Sequence, residues 1–185
     1  MKTLPRKFYM NDTEQVARDL LGKVLVKKIG IQILSGVIIE TEAYKGKNDP
    51  ASHASRKKTE RNKIMFGEVG FAYIYFTYGM HYCFNVVAKK QNDESGAVLI
   101  RAIQPQQGIN QMIKNRKTDI ISNLANGPGK LTQAMQITLK QYNHDLTKKS
   151  PLFIIDGKKP DKIIARPRIG IKIGIDKLWN FSYKI

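Results

Sequence analysis

The chain has 185 residues and carries 32 Lys and Arg against 15 Asp and Glu, a formal net charge of +17, in a length that suits one domain around one core. So one-sided a charge points to a polyanionic partner. No apolar run is long enough to span a bilayer and no signal-peptide core is visible, which predicts a cytoplasmic protein, nucleoid-associated in a bacterium, with no membrane partner. Cys83 is the only cysteine, which excludes intrachain disulfides and multi-cysteine metal sites.

Along the chain, Asp12 with Gln15 predicts a capping box that opens a helix through Val16, Ala17, Leu20 and Leu21 and stops at Gly22. Short β-branched runs at Val24–Val26 and Gln32–Glu42, divided by Gly30, predict paired strands. Phe71–Thr77 and Tyr82–Ala88 predict a hairpin with Tyr78, Gly79, Met80 and His81 at its tip, and Ala97–Ile103 a further strand. Beyond Pro105, the spacing of Ile109, Met112 and Ile113 predicts a helix ending near Lys117. Asn126, Gly127, Pro128 and Gly129 break the chain before a helix over Lys130–Ile137. Strands are expected again at Leu152–Ile155, Ile163–Ala165 and Arg168–Ile173. With no internal repeat or long linker, residues 1–185 are expected to form one mixed α/β (α+β) domain with a largely antiparallel curved sheet, flanking helices and a protruding hairpin.

Strict alternation in the strand Gly36–Tyr44 puts Ile38, Glu40, Glu42 and Tyr44 on one face and Val37, Ile39, Thr41 and Ala43 on the other. A carboxylate beside aromatic rings can be poised as a general base, whereas the same carboxylates on a surface would simply pair with some of the many cations; spacing alone does not choose between these. In the hairpin, Tyr73, Tyr75 and Thr77 share a face, as do Cys83, Asn85 and Val87, so rings and an amide can line a pocket for a planar ligand or form ordinary core. Tyr78 and Met80 flank a tight turn and could wedge between base pairs. His53 lies in a polar loop. It is followed by Ala54 and Ser55 rather than by the glutamate and paired cysteines of a zinc nucleobase deaminase. Gly127–Lys130 offers backbone N–H groups and a cation to a phosphate, without the spacing of a nucleotide P-loop.

The order of the motifs is more specific than any one of them. Glu-Thr-Glu-Ala-Tyr at 40–44, Asp-Pro-Ala-Ser-His at 49–53, Arg61-Asn62 with Met65-Phe66-Gly67, Tyr-Gly-Met-His at 78–81, Cys-Phe-Asn-Val-Val at 83–87, Leu-Ile-Arg-Ala at 99–102 and Asn-Gly-Pro-Gly-Lys-Leu at 126–131 together resemble the alkyladenine (3-methyladenine) DNA glycosylase family, from about Val16 to Ile171. The resemblance implies a monofunctional glycosylase that flips a damaged purine out of double-stranded DNA and hydrolyses its N-glycosidic bond. It implies no metal or organic cofactor, and a monomer is expected. By position, Glu42 would activate the water, with Arg101 and the main-chain carbonyl of Ile169 helping to hold it. Tyr44, His53 and Tyr75 would enclose the extruded base, Asn85 would crowd the 2-amino group of a normal guanine, and Tyr78 would fill the vacated stack; from the residues themselves, Met80 is expected to insert beside Tyr78 and Lys130 to meet the DNA backbone. Two segments depart from the family pattern. Lys57, Lys58, Thr59 and Glu60 replace a loop that usually has Gly before the lysine and Pro after the threonine, and Leu178, Trp179, Asn180 and Phe181 stand where a Pro-Trp-Arg-aromatic ending is common. Two other readings remain: a non-catalytic nucleic-acid module using the same basic and aromatic surface, and a metal-dependent nuclease using Glu40, Glu42, Asp49 and His53.

Overall fold

The computed structural model describes residues 2–184. Helix α1 spans Thr13–Asp19, α2 Ile109–Arg116 and α3 Pro128–Ala134, and the strands are β1 Val24–Ile29, β2 Gln32–Tyr44, β3 Ala72–Thr77, β4 His81–Val87, β5 Ala97–Gln107, β6 Leu152–Ile155, β7 Ile164–Arg166 and β8 Asn180–Ser182. The fold is mixed α/β with a curled antiparallel sheet ordered β3-β4-β5-β2-β1-β6. The long strand β2 is its spine. β5 runs along one edge of it, and on the other edge β1 pairs with residues 32–37 before β8 takes over at residues 40–42. Among the described residues no helix is long and apolar enough to cross a membrane.

The concave side of the sheet is closed by the helices. Val16, Ala17 and Leu20 of α1, Met112 of α2 and Leu131, Ala134 and Met135 of α3 pack with Leu25, Leu34, Ile38, Ile74, Phe84, Val86, Ile100 and Phe181 in one continuous core. The apolar stripe read at Val16, Ala17 and Leu20 is therefore a core stripe. Its cap differs from the predicted box: Asp12 accepts from the Glu14 backbone N–H, while the Gln15 amide turns along the helix to Asp19. A second, smaller cluster of Ala54, Ile64, Met65, Tyr73, Val87 and Ala97 lies on the other side of the sheet. The hairpin β3–β4 separates the two: Ile74, Phe84 and Val86 enter the main core, and Tyr73, Tyr75, Cys83 and Asn85 face away from it. That is the period-2 division read from the sequence.

Helix α3 begins at Pro128, two residues before the predicted start, with Gly127 as its cap residue; the fixed φ of proline suits a first helical position. Its Thr132 hydroxyl donates to the Tyr82 carbonyl at 2.9 Å. A side chain at Gly129 would come within 2.9 Å of the His81 ring, so glycine lets the helix press against the base of the hairpin tip. Predicted strands elsewhere form at their expected places, β1 running on past Val26 to Ile29, β5 past Ile103 to Gln107 and the others ending within two residues of expectation, with one exception. Arg168–Ile173 is not a strand but an irregular loop with Gly170 at positive φ, and β8 lies beside β2 instead.

Candidate active site

The candidate site is set by two bulges that face each other across β2 and β5. Ile38 pairs with Ile103 and Glu40 with Ala102, which leaves Ile39 as an extra residue; Glu40 pairs with Ala102 and Thr41 with Ile100, which leaves Arg101 as an extra residue on the partner strand. Each extra residue shifts the alternation by one. Ile38 and Ala43 therefore both belong to the main core, and Ile38 does not share a face with Glu40 and Glu42 as strict alternation required. Thr41 donates to the Ala17 carbonyl at 2.7 Å on the helix side. Glu40, Glu42 and Tyr44 are left on the opposite side, where the bulge also aims Arg101.

Glu42 has no exposed surface. Its Oε1 accepts from the Ile169 backbone N–H at 2.7 Å and from the Asn180 amide at 3.1 Å, and Arg101 lies 3.5 Å away; its Oε2 accepts from the Tyr44 hydroxyl at 2.8 Å. Glu40 pairs with Arg101 Nε at 3.1 Å and accepts from Asn180 at 2.7 Å. Burial, and then the neighbouring Glu42 carboxylate, push the Tyr44 phenol well above the usual tyrosine range, so it stays a hydrogen-bond donor. Asn180, which no sequence motif points to, donates to both carboxylates. It falls opposite Glu42 in the β2–β8 register.

In front of this cluster lies a cavity of about 420 Å³ lined by Tyr44, His53, Tyr73, Tyr75, Tyr78, Cys83, Asn85, Leu99, Arg101 and Ile169–Ile171, among others. Its volume and aromatic lining suit a planar ligand. His53 and Tyr75 touch edge to face at 4.7 Å between centroids, so no base fits between those two rings and they act as a single wall. His53 Nδ1 is 2.9 Å from the Tyr73 hydroxyl, and burial followed by the charge of Arg61 lowers its pKa, which favours the neutral ring. Asn85 is buried, with its amide donating to the Tyr73 carbonyl at 3.1 Å. Burial also raises the Cys83 thiol, which keeps it protonated and a poor nucleophile.

The loop that carries Ile169 is fastened from behind. Arg168 and Asp49 are both fully buried and joined by two hydrogen bonds, of 2.6 and 2.7 Å, and Arg168 also donates to the Ala43 carbonyl. The guanidinium lies over the Tyr44 and Trp179 rings at 4.7 and 5.0 Å. Asp49 is thus a structural anchor. With Glu40 and Glu42 turned to Arg101 and Asn180, the three carboxylates of the nuclease reading each face protein donors. No cluster of three potential metal ligands forms among the described residues.

The hairpin tip stands clear of the body. Tyr78 and Gly79 both have positive φ, and Met80 N–H donates to the Thr77 carbonyl, a tight turn inside the three-residue connection between Thr77 and His81. Tyr78 is 82% and Met80 68% exposed. Tyr78 is at the rim of the aromatic cavity, whereas Met80 faces a separate cleft on the other side of the tip. Lys130 lies on α3 with its ammonium held by Asn126 at 2.9 Å and is not among the residues that line the aromatic cavity. Of the residues singled out from sequence, Glu42, Arg101, Ile169, Tyr44, His53, Tyr75, Asn85 and Tyr78 thus converge, and Met80 and Lys130 lie apart. At Ile169 it is the N–H, not the carbonyl, that the structure brings to Glu42.

Comparison with known proteins matches residues 7–184 to the family described as methylpurine-DNA glycosylase. A protein of Carboxydothermus hydrogenoformans named "Putative 3-methyladenine DNA glycosylase" is 48% identical over 183 residues, 98% of this chain and 95% of its own length. Proteins of the same name from Prosthecochloris aestuarii and Clostridium novyi are 48% and 43% identical, spanning 95% and 100% of this chain and 85% and 96% of theirs.

Proposed function

This chain belongs to the methylpurine-DNA glycosylase family, hydrolases of N-glycosyl bonds that act in DNA repair, and within that activity we propose that it excises flipped-out alkylated or deaminated purines with a water activated by Glu42. The observation that carries the reading is a buried carboxylate directly behind an aromatic cavity, ringed by Arg101, Tyr44 and the Ile169 peptide, which themselves line that cavity.

A base within the duplex is unreachable, so it must be rotated out at a cost of a few kcal/mol, least for a damaged pair. The extruded purine enters between Tyr44 on one side and the His53–Tyr75 wall on the other. An N3-alkylated adenine is a cation attracted to those faces, and a neutral His53 adds no repulsion. Glu42 takes a proton from water, the water oxygen bonds to C1′, and the C1′–N bond breaks with its electron pair going to the base. A cationic purine leaves as a neutral molecule without an acid; a neutral hypoxanthine has one more proton to acquire. Because Glu42 has no exposed surface, the water takes a place beside one of its present donors. Ile169 is the donor with the least packing: its side chain is 56% exposed and the next residue is a glycine at positive φ. Exposed Tyr78 at the cavity rim would occupy the gap left by the base.

The deciding experiment is a single-turnover assay, with chelator present, on duplexes carrying hypoxanthine or ethenoadenine and on methylated DNA, with abasic sites revealed by alkali. Release of the damaged base is expected. Strand cleavage without base release, or no reaction on any of the substrates, would refute the proposal.

A further inference from the structure

Beneath the hairpin tip, on the side away from the aromatic cavity, lies a second cleft of about 630 Å³. Its wall includes Lys27, Lys28, Lys140 and His81, and no Asp or Glu. Lys27 is the unusual member. It follows Leu25 on the core-facing side of β1, pairs in register with core residues Leu34 and Leu152, and is only 5% exposed. Among the described residues its ammonium makes no ion pair or side-chain hydrogen bond, and desolvation lowers its pKa. Nearby, the His144 Nε2 is buried without a hydrogen-bond partner, and the charge of Lys27 adds to burial in lowering its pKa. A buried, unpaired lysine costs stability, and structural lysines are normally paired or left to reach water. This one opens into a basic cleft that an anion can fill.

The position of the cleft identifies the anion. Met80 and His81 of the hairpin tip form one of its sides, and Gly129 on α3 closes the floor against the His81 ring. A strand whose stack is entered by the tip must run its backbone past these residues. We propose that this cleft is a phosphate-binding site that takes one DNA backbone phosphodiester, with Lys27 as its buried cation and Lys28 and Lys140 at its mouth, and so fixes the depth and register of the hairpin in the duplex. The inference rests on the reading of the tip as the DNA-inserting element. It is separate from Glu42 chemistry, since the readout is binding and not base release.

The test compares the wild-type chain with Lys27→Met and Lys140→Ala on lesion-containing and undamaged duplexes across a salt series. Each lost phosphate contact should lower the slope of log K against log salt by about 0.9 and weaken binding to both duplexes in parallel. Lys27→Met should also melt no lower than wild type, because the variant removes an uncompensated buried charge; a purely structural lysine would behave the other way. In a duplex with neutral methylphosphonate linkages stepped around the insertion point, one linkage should abolish the difference between wild type and Lys27→Met. Unchanged slopes in both variants would overturn the proposal. So would a lower melting temperature for Lys27→Met accompanied by an unchanged slope for Lys140→Ala. Inorganic phosphate provides the remaining arm: if it stabilises wild type but not Lys27→Met while DNA affinity is the same for both, the site serves a free anion and the DNA assignment falls.

Discussion

Replacing Glu42 by Gln isolates the proposed base from the architecture around it. The amide oxygen can keep the donors now on Oε1, the Ile169 N–H and the Asn180 amide, while the new NH₂ group points at the Tyr44 hydroxyl, which can turn from donor to acceptor. Arg101 keeps Glu40 at 3.1 Å. What is lost is the charge in those hydrogen bonds, roughly 1 to 2 kcal/mol given the difference between charged and neutral partners. For a chain of this size that is a fall in Tm of about 2 to 8 °C. The catalytic loss should be far larger, since removing a positioned general base typically costs about 10²- to 10⁴-fold in rate. The assay is single-turnover base release at saturating enzyme, with lesion affinity measured separately. Glu42→Gln should bind the lesion duplex about as tightly as wild type and release base at least two orders of magnitude more slowly, roughly the lower end of that range. Release within tenfold of wild type would refute the general-base role. Loss of binding in step with loss of release would refute it too, because the defect would then lie in the pocket and not in the water.

Arg168→Met should destabilise the chain by about 3 to 5 kcal/mol by leaving the buried Asp49 charge without its countercharge, and adding Asp49→Leu should restore only part of that, because the Lys45 and Ala51 N–H groups then lose their acceptor; thermal denaturation of the single and double variants checks both. Tyr78→Ala should weaken lesion binding by about 1 to 3 kcal/mol, the usual worth of an aromatic stacked on a base, while Tyr78→Phe should not; equal titrations for Ala and Phe would show that the tip does not enter the stack. His53 and His144 both have pKa values below the free histidine value of 6.5 when folded. The unfolded chain therefore takes up protons first as pH falls, and stability should drop below about pH 6.5 toward the folded values. His53→Gln should flatten part of that slope in Tm measured from pH 8 to 5, with His144 supplying the remainder; an unaltered slope would assign none of it to His53.

What the sequence made legible follows from where backbone geometry stays regular. The β3–β4 hairpin pairs without a register break from Ala72 opposite Val86 to Thr77 opposite His81, so alternation alone sorted Tyr73, Tyr75, Cys83 and Asn85 from Ile74, Phe84 and Val86. The same rule fails on β2, because the bulge at Ile39 leaves no signature beyond an ordinary β-branched residue; only the register against β5 reveals it. The alternation that draws attention to Glu42 holds only in part. Glu42 shares its environment with Tyr44, as alternation required, yet it lies on the far side from Ile38 and is reached by Arg101 through a second bulge. Arg168–Ile173 shows the opposite failure. Its alternating Ile and polar residues imitate a strand, but Gly170 takes positive φ and half of Ile169 and Ile173 is exposed, so nothing pairs with that stretch and it lies over the cavity as a loop tied down by Arg168. Asn180 carried the weakest signal of all, a single polar residue in a three-residue strand. Its importance comes from long-range register: only when β8 lies beside residues 40–42 of β2 does its amide meet both Glu40 and Glu42. An amide there supplies hydrogen bonds without a second cation beside Arg101. The Glu42 carboxylate is balanced mainly by one guanidinium, which makes Arg101, rather than the β8 segment, the main source of positive charge at the site.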